Sequence, residues 1–220
     1  MAINEQDIAN IVRNVLKGME TETPAAKKTA AAPKLNGIFE TPEEAIAAAK
    51  AAQKEIQPMP LEFREKIIAN IRKKTLENAK MLSELAVEET GMGNVGHKII
   101  KHQLVAEKTP GTEDLTTIAW SGDRGLTLTE MGPWGVIGAV CPSTNPTCTV
   151  ICNSIGMLAA GNAVVFMPHP SAKNCSNLAI DMVNRASIEV GGPANIVTAV
   201  ADPTMEVSNY IFKHKDVDML

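Results

Sequence analysis

Two short apolar runs joined by a helical segment constrain the fold of this chain more than any other feature. Residues 136–141 and 163–167 are rich in alanine and β-branched residues, which is typical of strands buried on both faces of a parallel sheet. Between them apolar residues recur at helical spacing, and Gly161 stands where a left-handed residue would end the helix. The sequence therefore predicts a βαβ unit, with Thr147 as a candidate cap of its helix.

The alternation of helices and strands continues to residue 220. The predicted elements are a helix from Ser171 that ends at Gly191, a strand at residues 196–200, a helix capped by Asp202 and Pro203 that runs to about Lys213, and a strand beginning at Val217. This order predicts an α/β fold built on a doubly wound, mostly parallel sheet.

The part of the chain before the βαβ unit is mainly helical. Thr41, Pro42 and Glu44 predict the start of a helix that runs to about Ile56. A second helical region covers residues 61–90, either continuous or broken near Asn78. We expect these helices to cover one face of the later sheet. Residues 115–130 change to strand-like alternation and predict a β-hairpin.

The first residues predict a separate element. Residues 4–19 carry one apolar stripe at helical spacing, whereas residues 20–36 are rich in alanine, proline and lysine and indicate a flexible linker. So short a helix is marginal alone in water and needs a partner surface. The stripe serves either to dock the chain on another protein or to pack on its own domain, which we take to be residues 37–220.

Composition excludes several classes of function. A net charge of −4 offers no basic surface for nucleic acid, and 3% aromatic residues offer few stacking platforms for single strands. Neither a membrane-spanning apolar run nor an export signal is found, so a cytoplasmic location is expected. The four cysteines lie close together in elements that are expected to be buried, which favours reduced thiols over a disulfide framework, and the absence of a C-x-x-C pair predicts no metal site. Because no neighbouring base can be named, Cys141 is expected to be a small buried residue and not a nucleophile.

Several separated motifs resemble one known family. Gly-Val-Ile-Gly-Ala-Val at residues 135–140, Pro-Ser-Thr-Asn-Pro at 142–146, Gly-Asn-Ala-Val-Val-Phe at 161–166 and Pro-His-Pro at 168–170 resemble the aldehyde dehydrogenase superfamily. Within it, the match is to the first half of the CoA-acylating aldehyde dehydrogenases of bacterial microcompartments. Such enzymes have a Rossmann-like domain without the glycine-rich dinucleotide fingerprint, which this sequence also lacks.

The resemblance implies an activity and its partners. The implied reaction is the NAD-dependent oxidation of acetaldehyde or propionaldehyde to an acyl-CoA, with coenzyme A as co-substrate and a cysteine nucleophile beyond residue 220. It also implies that residues 4–19 act as an encapsulation peptide on a shell protein inside a microcompartment. The hairpin at residues 115–130 would join subunits of a homo-oligomer. The alternative is a non-catalytic nucleotide-binding or shell-docking fragment.

The candidate site lies where the predicted strands end, because loops at the carboxyl ends of parallel strands form the ligand crevice of such sheets. A helix start there favours an anionic group. The residues are Pro142, Ser143, Thr144, Asn145, Pro168, His169, Pro170 and Ala201. By resemblance Asn145 is the donor to the reaction's oxyanion, although Thr144 aligns with the family's asparagine and Met167 with a ribose-binding lysine. Alternatively, Asn145 only caps the next helix and His169 is a surface residue.

Overall fold

A four-stranded parallel sheet organises residues 35–220, which are the residues that the computed structural model describes. Its order is β1, β6, β5, β4, and the strands are β1 Ile38–Phe39, β4 Val136–Val140, β5 Ala163–Met167 and β6 Val197–Val200. The predicted helix at residues 4–19 and most of the predicted linker lie outside the described residues. The predicted α/β class with a mostly parallel, doubly wound sheet is confirmed.

Helices lie on both faces of this sheet. They are α1 Pro42–Ile56, α2 Leu61–Thr90, α3 Val95–Lys108, α4 Pro146–Ala159, α5 Lys173–Glu189 and α6 Met205–Lys213. The core on one face contains residues of α6 and of the first part of α1, and the core on the other contains residues of α2, α4 and α5 together with Ala52 and Ile56 from the end of α1. The expectation that α1 and α2 cover the same face is therefore wrong for the first part of α1.

Strand β5 separates the two cores by the alternation of its side chains. Ala163, Val165 and Met167 pack against the α1 side, whereas Val164 and Phe166 pack against the α4 and α5 side. All five side chains are buried, as expected for a central parallel strand. Phe166 is fully buried, and burial of a side chain of this size contributes roughly 2–3 kcal/mol.

Local hydrogen bonds explain where the first helices begin and end. The Thr41 hydroxyl accepts from the backbone amide of Glu44, as its sequence position predicts. Helix α2 runs unbroken through Asn78, whose side chain donates to the Lys74 carbonyl of the same helix at 2.8 Å. Gly91, with φ of +65°, ends this helix in the left-handed conformation.

Three predicted element starts differ from the structure. Helix α4 begins at Pro146, so Thr147 lies inside its first turn and does not cap it. Helix α6 begins at Met205, and the hydroxyl of Thr204, not Asp202, accepts from the Val207 amide. The predicted last strand is reduced to a single parallel bridge between Ile137 and Met219.

A two-stranded hairpin stands outside the sheet. Its antiparallel strands are β2 Ile118–Gly122 and β3 Gly125–Thr129, which confirms the predicted hairpin. Every residue of both strands is exposed, including Trp120 at 56% and Leu126 at 64%. Among the described helices, none has the length and apolar composition needed to cross a membrane.

Candidate functional site

The predicted loops meet at one edge of the sheet. Val140 and Met167 are paired residues at the ends of β4 and β5, and the Cys141 amide donates to the Met167 carbonyl at 3.0 Å. Residues 142–145 and 168–170 therefore emerge side by side. Ala201 follows β6, the other neighbour of β5, and its amide donates to the Phe39 carbonyl at 2.8 Å. The structure thus brings all the candidate residues to the same edge.

Asn145 occupies the position before α4 without capping that helix through its side chain. Its backbone carbonyl accepts from the Thr149 amide at 3.0 Å, which is the first bond of the helix. Its side-chain Oδ1 accepts from the Lys101 ammonium at 3.3 Å. Asn145 is therefore the N-cap residue of α4 by position, as the alternative interpretation expected, although its side chain does not make the capping hydrogen bond. Its Nδ2 group makes no hydrogen bond with any residue in the 35–220 range.

The loop before α4 rests against α3, a helix that the sequence analysis did not predict. The face of α3 toward the core carries Lys98, His102 and Ala106, whereas Ile100 and Leu104 are exposed. The Lys98 ammonium donates to the Thr144 carbonyl at 3.0 Å although the residue is only 5% exposed. The sequence feature that could have indicated this helix is the four-residue spacing of Lys98 and His102, which places both residues on one helix face.

A fully buried histidine connects three helices behind the site. His102 Nδ1 lies 2.8 Å from the Lys98 carbonyl and 3.0 Å from the Ser83 hydroxyl, and Nε2 lies 2.9 Å from the Thr147 hydroxyl. Since a carbonyl only accepts, Nδ1 carries the hydrogen and Nε2 accepts from Thr147. Burial lowers the pKa of His102, with the nearby Lys98 charge as a smaller cause in the same direction. The ring is therefore a neutral connector of α2, α3 and α4.

His169 is exposed beside this edge, and its own loop fixes the ring. Its Nδ1 accepts from the Ser171 backbone amide at 3.1 Å and lies 2.8 Å from the Ser171 hydroxyl. In the neutral ring the hydrogen is then on Nε2, which leaves that nitrogen as a donor toward solvent. This geometry suits a contact with a polar ligand.

The cysteines are poorly suited to nucleophilic attack. Burial raises the pKa of the Cys141 thiol to about 12, and it likewise raises the pKa of Cys148 to about 11. Burial also raises the pKa of Cys175 to about 12, with the Glu89 side chain adding to the effect. Only the thiolate is the nucleophile, so these three thiols are inert near neutral pH. Among residues 35–220, no cluster of histidine, cysteine and carboxylate groups could hold a metal ion.

A cavity of about 510 Å³ lies between α2 and α5 and is lined by Leu35, Leu85, Glu88, Glu89, Asn174, Cys175, Asn177 and Leu178. None of the candidate site residues lines it. The Glu89 carboxylate accepts from the Asn174 and Cys175 amides at 2.9 and 2.7 Å. This carboxylate is already bonded, whereas Asn145 Nδ2 and His169 Nε2 at the strand-end edge have no hydrogen-bond partner among residues 35–220.

Comparison with known proteins gives a consistent result. The Aldehyde dehydrogenase family matches residues 12–220. Acetaldehyde dehydrogenase (acetylating) of Bilophila wadsworthia is 50% identical over 226 residues, which cover 100% of this chain and 46% of that protein. The chain spans about half the length of the curated relatives that it matches.

Solved structures show the same similarity. A propionaldehyde dehydrogenase from the Clostridium phytofermentans fucose utilisation bacterial microcompartment is 61% identical, with a TM-score of 0.81 over 83% of this chain and 42% of that chain. The Rhodopseudomonas palustris propionaldehyde dehydrogenase with bound propionyl-CoA is 47% identical, with a TM-score of 0.81 over 89% of this chain and 44% of that chain.

Proposed function

This chain belongs to the aldehyde dehydrogenase family, and from that premise we propose that it supplies the cofactor-binding part of a CoA-acylating oxidation. The substrate is a short-chain aldehyde, acetaldehyde or propionaldehyde, and the product is the corresponding acyl-CoA. The relatives and solved structures with these activities support the choice of substrate.

The observation that carries the proposal is that the loops with Asn145 and His169 leave neighbouring strands at the same edge of the sheet. Each has one side-chain acceptor already bonded within the protein and a donor nitrogen left over. The start of α4 adds backbone amides and the positive end of a helix dipole. This donor set suits the hydroxyl and phosphate oxygens of a nucleotide such as NAD or coenzyme A.

The proposed chemistry divides an oxidation into two steps. A cysteine thiolate, which by family resemblance lies beyond residue 220, adds to the aldehyde carbon to give a hemithioacetal oxyanion, and loss of a hydride from that carbon leaves a thioester. The thiol of coenzyme A then takes the acyl group and releases the cysteine. NAD, when bound, accepts the hydride that leaves the aldehyde carbon. Within this chain Asn145 donates to the oxyanion that forms during attack. Residues 142–145, 168–170 and Ala201 hold the nucleotide, so Asn145 contributes both to cofactor binding and to the oxyanion contact.

Nucleotide binding tests this assignment on the 220-residue chain itself. Titration calorimetry should show NAD binding that weakens about tenfold in the His169→Ala, Asn145→Ala double variant, because two hydrogen bonds of roughly 0.5–1.5 kcal/mol each are lost. Gln103→Ala, which removes an exposed amide of α3, is the matched control. Unchanged affinity in the double variant would place the nucleotide elsewhere.

Turnover separates the enzyme from the alternative of a non-catalytic nucleotide-binding or shell-docking fragment. The chain alone should produce no NADH from propionaldehyde, NAD and coenzyme A. The chain joined to the carboxyl-terminal half of the Bilophila wadsworthia relative should produce it steadily. Activity of the chain alone that disappears in Cys141→Ala would show Cys141 to be the nucleophile. Nucleotide binding without activity of the joined protein would favour the non-catalytic alternative.

We propose two protein partners as well. The exposed hairpin of β2 and β3 joins copies of the chain in a homo-oligomer. Residues 4–19, which lie outside the described part, dock on a shell protein inside a bacterial microcompartment. The apolar stripe of these residues and the microcompartment origin of a similar solved structure support the second proposal.

Removal of residues 1–19 tests the docking proposal. Co-purification with shell proteins should be lost, whereas the melting temperature should stay nearly unchanged because the stripe does not stabilise the domain. A large decrease in melting temperature would show instead that the stripe packs on the chain's own core.

A further inference from the structure

Lys98 is a buried cation in an unfavourable place. It is 5% exposed, and no carboxylate in the described part of the chain forms an ion pair with it. Its ammonium reaches the residue before Asn145, at the start of α4, where the helix dipole is positive and disfavours another positive charge. A buried charge without a partner destabilises a fold, so a role other than stability is needed to explain this lysine.

The contacts of Lys98 show what it holds. Its acceptor, the Thr144 carbonyl, belongs to the peptide group that leads into Asn145, so this bond fixes the backbone on the amino side of that residue. The bond from the Thr149 amide fixes the carbonyl on the other side. Gly93 leaves room for the lysine, since a Cβ there would lie 3.3 Å from Lys98 Cε.

Lys101 restrains the Asn145 side chain one helical turn further along α3. Its ammonium lies 3.3 Å from Oδ1, which defines the orientation of the amide group because a cation must face the oxygen. The Nδ2 hydrogens then point away from Lys101. Backbone and side chain of Asn145 are therefore both set by lysines of α3.

We infer that Lys98 and Lys101 are positioning residues that aim the side-chain NH2 group of Asn145 at the oxyanion formed during attack on the aldehyde. This inference rests on the proposed function for the reaction itself, but the restraint on Asn145 can be measured without turnover. Lys98 supplies the stronger restraint, because it is buried, whereas Lys101 is exposed and its bond competes with water.

Side-chain amide signals of the 15N-labelled chain test the restraint. The Asn145 pair is identified by its loss in Asn145→Asp. It should shift and broaden in Lys98→Met and Lys101→Met, and it should keep its position in Lys98→Arg, which can still donate to Thr144. Lys108→Met, in the last turn of the same helix, is the control. An Asn145 pair unchanged in both Lys98→Met and Lys101→Met would overturn the inference.

Kinetics of the joined protein described above distinguish positioning from stabilisation. In Lys98→Met, kcat should fall by roughly ten- to a hundredfold because the oxyanion contact is misaligned, whereas KM for NAD should change by no more than about threefold, because Asn145 makes only one of the two proposed contacts with NAD. The melting temperature should not fall, since Thr144 is exposed and its carbonyl can bond to water. Unchanged kcat, or loss of activity only in parallel with the melting temperature, would overturn the inference. If the unmodified joined protein is inactive, the proposed reaction fails while the amide spectra still decide the positioning.

Discussion

Cys141, Cys148 and Cys175 carry thiols whose pKa values burial raises to about 12, 11 and 12. At pH 8 a thiol with a pKa of 12 is a thiolate in only about one molecule in ten thousand. Cys152 differs, because it is only partly buried, and its sulfur accepts from the Thr109 hydroxyl at 3.7 Å.

We expect iodoacetamide at pH 8 to label Cys152 first in the folded chain. Cys141, Cys148 and Cys175 should react only on unfolding, because burial suppresses both access and the thiolate. Mass spectrometry of peptides before and after addition of urea measures the order. Early labelling of Cys141 would contradict its assignment as an inert buried residue.

Because His102 is neutral in the folded chain, we expect the free energy of unfolding to depend on pH. Burial lowers the pKa of His102 in the folded chain below the ordinary value of 6.5 that the unfolded chain keeps. At pH values between these two pKa values, the unfolded chain binds a proton at this residue and the folded chain does not. The free energy of unfolding should therefore decrease as pH falls below 6.5, by at most about 1.4 kcal/mol per pH unit. Above pH 6.5 this residue contributes no pH dependence.

Urea unfolding at pH 7.5, 6.0 and 5.0, compared between the natural chain and His102→Gln, measures this effect. The variant cannot bind the proton, so the natural chain should show the steeper loss on acidification. Equal pH dependence in the two proteins would mean that His102 is not the titrating group.

At the scale of elements, helices α2 and α5 are joined by Glu89. Its carboxylate accepts from two backbone amides in the first turn of α5, which replaces the missing N-terminal cap of that helix. Glu89 stands near the end of α2, so one side chain satisfies the start of a helix that lies 84 residues further along the chain.

Replacement of Glu89 by alanine should lower the free energy of unfolding by about 1–2 kcal/mol, the usual effect of losing a helix cap. Glu88→Ala is the matched control, because Glu88 is exposed and receives no backbone hydrogen bond from the described residues. Chemical denaturation of both variants measures the difference. Equal stabilities would show that water replaces the carboxylate without loss.

The sequence predicted those elements whose buried side chains are apolar. Strands β4, β5 and β6 and helix α1 follow this rule, whereas the exposed hairpin was predicted from its alternation and turn residues. The edge that carries the candidate residues follows from the order of strands. Helix α3 was missed because its pattern is inverted, with Lys98 and His102 buried and Ile100 exposed. The restraint of Asn145 was missed with it, since long-range contacts such as that of Lys98 with Thr144 leave no periodic signal.

At the scale of the whole molecule, the hairpin is the part that the rest of the chain leaves uncovered. Ile118 and Trp120 lie on one of its faces, and Leu126 and Leu128 lie on the other; each is at least half exposed. An isolated two-stranded hairpin is at best marginally stable in water. Apolar residues on both faces are therefore consistent with the proposed contact between subunits.

We expect Trp120→Ser together with Leu126→Ser to reduce the molar mass of the chain in solution, as measured by light scattering after size exclusion. The melting temperature at high dilution should not change, because these side chains pack against no core cluster. Thr127→Ser, on the same strand, is the control. A double variant with the mass of the natural chain would place the subunit contact elsewhere.

Because the side chains of β5 alternate between the two cores, the number of residues in this strand cannot change without disturbing both cores. Loss of a single codon within residues 163–167 would reverse the side of every later side chain in the strand, so that Phe166 would enter the space left by small residues beside α1. The turn at residues 123–124 of the hairpin carries no such constraint, because its neighbours are exposed on both faces. Natural insertions and deletions should therefore be found in that turn and be absent from the codons of β5.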